Sequence, residues 1–526
     1  MEVDRQSQAL DTTSLAGRLS EADRLTLAGA VAALVTLAVA FLIRGLFDMP
    51  TLPELIASTL LRFMPIELFS FGLQVFGGWA KPVLLGGAVL GIVSLGSAIA
   101  RFDGRTFADM QPGRRLRATL KLALVIWAPL ALFGLVASGI GVIFLATNRE
   151  TVQLLASLLV SALVYAVALH WGIGFVAAQV RAARGPAVDR PPRSLSRRRL
   201  LGQAAAGVAG LASLAYLGRI VVATRAGVGG ERTGEISAPV TPVGEFYTVS
   251  KNFVNPSVGL DGWSLSVGGM TQRTIELSYD ELRALPAVEQ HATLTCISNP
   301  VGGNLIDNAA WTGVRLADIL ELAGVEGEPA RVVFYGADGY SDSFEIEKAF
   351  EPTTIVAYLM NGAPLEDKHG FPARLIVPGK YGIKNGKWLE RIELVRGNYE
   401  GYWQARGWTN TADIKTMSTF ERPLDRAVLN LEPQEIGGVA FAGPRGISRV
   451  EYSLDGGETW QDADELLNPG PLSWTIWRAT WTPAGSGAYR LVVRATDGEG
   501  NLQSDAHADP LPDGASGYHR LVVGVA

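Results

Sequence analysis

The sequence predicts a multi-domain chain: an all-α transmembrane bundle, then an α+β domain, then an immunoglobulin-like β-sandwich. Three observations support this prediction. Long uncharged apolar runs are confined to the part of the chain before residue 225. Short β-type runs then mix with helical ones from residue 246 to about 419, and strand-type alternation follows to the end. A length of 526 residues agrees with several domains.

Residues 1–224 are expected to form a membrane domain of about five transmembrane helices. The mean hydropathy of the chain, +0.20, is high for a soluble enzyme, and the apolar excess lies in this part. Each apolar run has about the length, roughly 20 residues, that crosses a bilayer core as a helix. The runs are 25–43, 82–100, 122–147, 152–180 and 200–218. The lipid bilayer is therefore the expected partner of this domain.

The distribution of arginine and lysine predicts the orientation. Segments 101–121 and 181–199 are rich in these residues, whereas segments 44–71 and 148–151 have no such excess. Because cytoplasmic loops carry the excess of positive charge, we expect a multi-pass protein of the cytoplasmic membrane with a cytoplasmic N-terminus. Five crossings then place everything after about residue 223 on the outer face, periplasmic or extracellular.

The fifth apolar run begins unusually. Arg197, Arg198 and Arg199 are followed by two leucines and a mild run rich in alanine and glycine. This start resembles an internal twin-arginine export signal, which would carry an already folded domain across the membrane. The alternative is that the arginines are only a cytoplasmic charge anchor for the helix.

Beyond the membrane domain, three segments differ in pattern. Residues 225–245 are rich in Gly, Ser, Thr and Pro and are expected to be a linker. Residues 246–419 contain strand-type runs such as "RVVFYGA" and helical ones such as "VRLADILELAG". Residues 420–526 alternate as short strands, with an Asp-Gly-Gly turn in "SRVEYSLDGGETW". This last pattern predicts the immunoglobulin-like sandwich.

Cys296 is the only cysteine of the chain, which excludes a disulfide framework and a cysteine-rich zinc site. A strand-type run ends at this residue, and a turn rich in glycine and proline follows. Such a position exposes side chains to ligands. The alternative is a small buried hydrophobe, as most free cysteines are, and the local pattern leaves both open.

Three motifs in the segment from residue 246 carry a family resemblance. They are "TCISNPVGG…IDNAAWTGVRLADIL", "FYGADGYSDSF" and "KHGFPARLIVPGKYGIKNGKWLERIEL". Together they resemble the sulfite oxidase family of molybdopterin enzymes, from about residue 246 to the C-terminus. The resemblance implies a sulfite-oxidase-type molybdopterin domain over 246–419 and a dimerisation-type domain over 420–526, hence a homodimer. It does not cover the first 225 residues.

The resemblance also implies a molybdenum–molybdopterin cofactor, with Cys296 as the protein thiolate on the metal. Cationic and N–H donors must then surround the anionic end of the pterin. The residues implied as cofactor-binding are Ser250, Lys251, Asn252, Asp338, His369, Arg374, Lys384, Asn385 and Lys387. The density of Lys and Gly in "KYGIKNGKW" independently favours close approach to an anion.

The chain departs from the family where sulfite is held. After Cys296 no arginine follows until Arg315, and Lys251 lies where a substrate arginine is expected. Trp408 aligns with the active-site tyrosine of sulfite-oxidising members, so Lys251 and Trp408 are expected to shape the pocket. Lysine does not replace the bidentate fork of arginine. We therefore expect two-electron oxygen-atom transfer on a small-molecule substrate other than sulfite, with a sulfite dehydrogenase or a sulfoxide reductase as alternatives.

No haem or iron–sulfur cluster is expected in this chain. Of its five histidines only His170 lies in an apolar run, where we interpret it as a satisfied or interfacial histidine. Electrons are then expected to pass to or from a separate protein partner or a quinone. No nucleic-acid partner is expected. A different class of function, a cofactor-free membrane-anchored scaffold or binding module, is the remaining alternative.

Overall fold

The computed structural model describes residues 20–47, 51–64, 68, 80–108, 110–137, 149–184, 233–252 and 255–526. The chain divides into two compact units. One comprises Met1–Met64 and Phe71–Thr224, and the other comprises Pro65–Ser70 and Arg225–Ala526.

The first unit is helical over its described residues. Its helices are α1 (Glu21–Phe47), α2 (Leu52–Phe63), α3 (Ala80–Ala108), α4 (Pro112–Ala137) and α5 (Arg149–Arg184). Among the described residues, four stretches are long and apolar enough to cross a membrane: Ala22–Arg44, Pro82–Asp103, Gly113–Gly134 and Leu154–Gly174. They correspond to the first four predicted runs. The fifth run, 200–218, and the export-type arginines lie outside the described residues.

Small and polar side chains join these helices. Helix α1 packs against α3 and α5, and α4 packs against α5. A Cβ atom at Gly29 would lie 2.5 Å from the carbonyl oxygen of Gly96, so α1 and α3 approach closely. Buried His170 contacts Thr119 Oγ1 through Nδ1 and Asp103 Oδ2 through Nε2, each at 2.7 Å. Both ring nitrogens thus have polar partners, as the interpretation of a satisfied histidine requires.

The second unit begins with two sheets, one mixed and one antiparallel. The strands are β1 (Ser264–Gly269), β2 (Ile275–Ser278), β3 (Ala287–Thr295), β4 (Ile306–Arg315), β5 (Arg331–Gly336), β6 (Ser341–Glu345), β7 (Ile355–Met360), β8 (Ala363–Pro364), β9 (Arg374–Ile376) and β10 (Leu389–Val395). Short helices α6 (Tyr279–Ala284), α7 (Leu316–Ala323) and α8 (Ile346–Ala349) connect some of them. One sheet has the order β2-β1-β10-β5-β6 and is mixed through the parallel pair β1–β10, and the other has β3-β4-β7-β8 with β9 paired to β7.

The turn after β3 places the lone cysteine. Strand β3 pairs with β4 along its whole length and is buried at its C-terminal end. The N–H of Cys296 donates to Leu305 O at 2.9 Å, and the N–H of Asn299 donates to Cys296 O at 3.0 Å. The side chain of Asn299 accepts a hydrogen bond from Leu305 N at 3.0 Å. The cysteine therefore sits at a strand end followed by a fixed turn, as the sequence predicts.

The C-terminal part is β-rich. Its strands are β11 (Met417–Arg422), β12 (Val428–Leu429), β13 (Gln434–Phe441), β14 (Ile447–Ser453), β15 (Gln461–Asp462), β16 (Glu465–Leu467), β17 (Thr475–Trp481), β18 (Gly487–Asp497) and β19 (His519–Val525). They form two sheets, β11-β13-β17-β16 and β12-β19-β18-β14-β15. Trp477 of the first stacks on Tyr452 of the second within a shared buried core. The predicted Asp-Gly-Gly turn follows β14, with Gly456 and Gly457 at φ +88° and +104°. The immunoglobulin-like topology itself stays a prediction.

Candidate active site

A cleft in the second unit collects residues that lie far apart in the sequence. Its empty volume is about 730 Å³, part of it open to solvent. The walls come from segment 246–251, the end of β3, the turn between β5 and β6, segments 368–374 and 382–388, and Trp403. The loops at the ends of both sheets of the α+β domain therefore meet around one space.

Most of the predicted site residues line this cleft. They are Ser250, Lys251, Cys296, Asp338, His369, Arg374, Asn385 and Lys387. Asn252 lies directly beside it, and its amide donates to Asp338 Oδ2 at 2.8 Å. The motifs that carry the resemblance thus converge in space.

The thiol of Cys296 lies in the buried part of the cleft and is 6% exposed. Its Sγ is 3.1 Å from Ser298 Oγ, where either atom can donate. Burial raises the pKa of the thiol, and the hydrogen bonds of Ser298 and the charge of Lys387 oppose that rise. A neutral thiol is thus favoured without a metal, whereas coordination would deprotonate it.

Arg374 presents a buried donor without a partner. Its guanidinium donates through Nη1 to His369 O at 3.0 Å and through Nη2 to Asn385 O at 3.2 Å. Its Nε is buried and has no hydrogen-bond partner among the described residues. Burial lowers the pKa of Arg374 to about 10, which still leaves it charged at neutral pH. An uncompensated buried cation and an orphaned N–H are the features that an anionic ligand would satisfy.

His369 and Lys387 differ in charge state. Burial lowers the pKa of His369 to about 3, so the imidazole is neutral at physiological pH. Its Nε2–H donates to Val243 O at 3.0 Å, which leaves Nδ1 as an acceptor. Lys387 donates from Nζ to Val249 O at 3.2 Å and to Lys368 O at 3.0 Å. The histidine supplies a neutral polar group, and the lysine supplies a cation that carbonyl oxygens hold at the cleft.

Lys251 is a cation whose charge is already compensated. Its Nζ lies 3.6 Å from Asp338 Oδ2 and donates to Asp338 O at 2.7 Å. The ammonium also lies 5.4 Å from the centre of the Tyr402 ring. Burial lowers the pKa of Lys251, and Asp338 opposes that shift. Little of its charge remains for an anionic substrate.

Two predicted residues do not line the cleft. Lys384 is fully buried, and its Nζ donates to Asp342 Oδ1 at 2.7 Å. Trp408 is 8% exposed and packs in a hydrophobic cluster with Ile297 and Tyr381. Lys384 faces its buried carboxylate instead of the cleft, and the Trp408 indole fills a core position next to the cysteine turn. The contacts of Lys384 and Trp408 with cofactor and substrate stay a prediction.

The cleft also contains residues that the sequence analysis missed. Tyr340, Ile383 and Trp403 line it, as do Phe246 and Tyr247. Trp403 belongs to the same "YWQARGW" stretch as Trp408, so the motif itself contains a tryptophan that lines the cleft. Tyr340 follows Asp338 in "ADGY", and no local pattern distinguishes it from a core tyrosine.

Two family models match this part of the chain. One, described as an oxidoreductase molybdopterin-binding domain, matches residues 252–403, and the other, described as a Mo-co oxidoreductase dimerisation domain, matches residues 408–523. The boundary between them lies between Trp403 and Trp408.

Curated relatives match the same region. A sulfite oxidase of Arabidopsis thaliana is 28% identical over 52% of this chain and 84% of its own length. The mitochondrial sulfite oxidase of Homo sapiens is 32% identical over 51% of this chain, and the matched part is only 58% of that protein. An uncharacterized oxidoreductase of Bacillus subtilis, YuiH, is 33% identical over 29% of this chain and 74% of its own length.

Proposed function

The chain belongs to the sulfite oxidase family of molybdopterin-dependent oxidoreductases, and we propose on that premise that it performs two-electron oxygen-atom transfer at a molybdenum ligated by Cys296. It is a molybdenum oxidoreductase with a molybdenum cofactor. The molybdopterin-binding match over residues 252–403 favours this enzyme over a cofactor-free scaffold. When bound, the cofactor supplies a metal that exchanges two electrons and an oxygen atom.

The residues of the cleft fit such a group. Cys296 is a soft ligand placed at the buried end of the cleft, as molybdenum prefers. The orphaned Nε–H of Arg374 and the ammonium of Lys387 are the donors that would hold an anionic pterin substituent. Neutral His369 would offer its Nδ1 to a pterin N–H. The buried, unpartnered Arg374 donor carries this part of the proposal.

Metal analysis tests the assignment of Cys296. Purified full-length protein from a host that makes the cofactor should contain about one molybdenum per chain. Cys296→Ser should lose oxygen-atom transfer activity, because a hydroxyl is a harder and less acidic ligand than a thiol. Ser298→Ala is the matched control, since it removes only the hydroxyl beside the thiol. Folded wild-type protein without molybdenum would contradict the proposal.

The substrate is proposed to carry little negative charge, such as a sulfoxide or another neutral oxygen-atom donor or acceptor. Lys251, in the position of a substrate arginine, is paired with Asp338. Tyr402 and Trp403 form a T-shaped aromatic pair, of which Trp403 lines the cleft. An aromatic wall beside a compensated cation favours a neutral substrate over a dianion.

A substrate panel tests this specificity. The loaded enzyme is mixed with sulfite, several sulfoxides and nitrate, and the Mo(V) resonance is followed together with turnover. Turnover of a sulfoxide with a kcat/KM well above that of sulfite is expected. Rapid sulfite turnover would instead support the alternative of a sulfite dehydrogenase.

The catalytic unit is proposed to be anchored in the cytoplasmic membrane and to lie on its outer face. The four apolar stretches of the first unit and the arginine-rich segments 101–121 and 181–199 support this topology. Reporter fusions after residue 110 and at the C-terminus test it. A cytoplasmic signal from the C-terminal fusion would overturn it.

The expected partners are a second copy of the chain and an electron-transfer protein or quinone. The match of residues 408–523 to a dimerisation domain supports the homodimer. Light scattering of the detergent-solubilised chain, corrected for bound detergent, measures the oligomeric state. A mass of one chain at micromolar concentration would contradict the dimer. Anaerobic oxidation of the reduced enzyme by a short-chain quinone tests the quinone route.

A further inference from the structure

A buried polar triad lies directly behind the cleft. Asp342 and Lys384 are each 0% exposed, and the ammonium of Lys384 donates to Asp342 Oδ1 at 2.7 Å. Tyr340, which lines the cleft, has its hydroxyl 3.1 Å from the other carboxylate oxygen, Oδ2. The three side chains therefore form a continuous path of hydrogen bonds from the cleft wall into the interior.

The tyrosine hydroxyl in this triad has more acceptors than hydrogens. It lies 2.8 Å from Ile383 O and 3.1 Å from Asp342 Oδ2, and neither oxygen can donate while the carboxylate is ionised. One hydrogen thus serves two acceptors. A proton added to Asp342 Oδ2 would donate to the tyrosine oxygen, whose own hydrogen would then go entirely to Ile383 O. The arrangement has room for one further proton.

The directions in which the pKa values of Asp342 and Tyr340 are shifted indicate which side chain holds that proton. Burial raises the pKa of Asp342, and the charge of Lys384 opposes that rise. Burial and the neighbouring Asp342 hold the pKa of Tyr340 well above its ordinary value. Tyr340 therefore stays a hydroxyl, which accepts one proton while it passes on another.

Other polar groups fix the triad in place. Asp342 also accepts from Ser343 N at 2.7 Å and from Gln404 Nε2 at 3.2 Å. Lys384 donates to Asn410 Oδ1 at 3.2 Å. Beyond the triad, Arg331 lowers and Glu345 raises the pKa of Lys384, and Asp338 and Cys296 raise that of Tyr340.

We propose that Asp342 is the proton acceptor of the cleft, reached through the hydroxyl of Tyr340 and held in position by Lys384. The inference rests on the proposed oxygen-atom transfer. Reduction of a sulfoxide to a sulfide and water takes up two protons and runs the path in reverse, whereas oxidation of a substrate with oxygen from water releases two protons. One of them forms a bond to Tyr340 Oη as the tyrosine passes its own hydrogen to Asp342 Oδ2. The carboxylate becomes a neutral acid, no electron moves in this step, and the second proton leaves through the open cleft. Tyr340 and Lys384 act as positioning and relay residues.

Kinetics of the full-length, molybdenum-loaded enzyme test the relay. With the best substrate of the sulfoxide and sulfite panel, Tyr340→Phe should lower kcat by roughly 100-fold, as loss of general acid–base assistance does. KM and molybdenum content should not change, because the ring is kept. Tyr335→Phe is the matched control, since its hydroxyl donates to Glu393 and it does not line the cleft.

Infrared difference spectroscopy gives a readout that does not depend on turnover. Reduction of the loaded wild-type enzyme with a chemical reductant should produce a carboxylic-acid C=O band that shifts in D₂O. The band should be absent from the double variant Asp342→Asn/Lys384→Met, which removes both charges together. If that variant does not fold, the wild-type spectrum still decides, because the absence of any carboxylic-acid band overturns the inference.

Failure of this inference can be separated from failure of the proposed function. Wild-type protein that lacks molybdenum or transfers no oxygen atom contradicts the function itself. Loaded and active enzyme whose Tyr340→Phe variant keeps the wild-type kcat and pH profile contradicts only the relay.

Discussion

Two buried cations of the catalytic domain, Arg374 and Lys384, have opposite surroundings. Both are almost inaccessible, with exposures of 5% and 0%. Lys384 has a carboxylate at 2.7 Å, whereas Arg374 donates only to carbonyl oxygens and keeps Nε without a partner among the described residues. Lys384 lies among hydrogen-bonded side chains behind the cleft wall, and Arg374 lines the cleft.

The counterion of Lys384 is part of the protein, whereas Arg374 has no protein counterion and would obtain one from a ligand. A buried charge without a counterion is unfavourable, so it persists where a bound anion compensates it. Lys384 already has its anion in Asp342, and that pair belongs to the fold and the proton path. Arg374 lacks one, and an anionic cofactor would provide it. Sequence alone assigned both residues the same role.

The largest effect is expected from breaking the compensated pair. Asp342→Asn leaves the ammonium of Lys384 buried without its anion, which costs about 3–5 kcal/mol of stability. The melting temperature of the detergent-solubilised chain should drop sharply, and Asp342→Asn/Lys384→Met should recover most of the loss. An equal loss in the single and double variants would show that the charge of Lys384 is not the cause.

A smaller effect is expected at Arg374, the cation without a counterion. It concerns cofactor binding instead of stability. Arg374→Gln should weaken cofactor binding by roughly 10- to 100-fold, the worth of a hydrogen bond to a charged group. The cofactor-free protein should change little in melting temperature, because removal of a buried charge without a counterion offsets the loss of the hydrogen bonds to His369 O and Asn385 O. Pterin fluorescence and metal content per chain measure the binding. Arg391→Gln, a half-exposed arginine against the face of Tyr335, is the control and should retain its cofactor.

The smallest effect is expected on the pH dependence of stability, through His369, the neutral imidazole in the wall of the cleft. The folded pKa of His369, about 3, lies below its ordinary value of about 6.5. Between these values the unfolded chain binds a proton that the folded chain does not, so stability falls as the pH drops below about 6.5. The loss attributable to His369 should reach about 2 kcal/mol by pH 5. It is measured as the difference in melting temperature between wild type and His369→Gln across that range.

The measurement needs the His369→Gln variant because a second group, Asp307, changes stability in the opposite direction as the pH falls. Burial raises the pKa of Asp307 to about 7, so its protonation in the folded state stabilises the protein as the pH falls. Wild-type stability alone can therefore change little between pH 7 and 5. A constant difference between wild type and His369→Gln would contradict the assigned pKa of His369.

Local sequence patterns predict site residues where a reactive or charged side chain falls in a turn that follows a strand or is rich in glycine. A strand end, a turn and a unique thiol single out Cys296, the family resemblance implies its role, and the lysines and glycines around Lys387 predict an anion site. The same stretch does not reveal that Lys384 pairs with Asp342, because Asp342 lies in strand β6 and no spacing relates the two. Local sequence also does not distinguish Trp403, which lines the cleft, from Trp408, which packs in a hydrophobic cluster.

The sequence by itself determined the order of the parts, the apolar stretches long enough for a bilayer, the position of the only thiol and the family. These follow from hydropathy, alternation and motifs, which depend on neighbouring residues. Only the tertiary structure decided which buried cation is compensated, that Trp403 and not Trp408 reaches the cleft, and that Tyr340, Asp342 and Lys384 form one hydrogen-bonded path. Pairing between distant side chains is set by how the strands pack, because a hydrogen bond or ion pair needs its partners within about 3 Å and the sequence does not encode that distance locally.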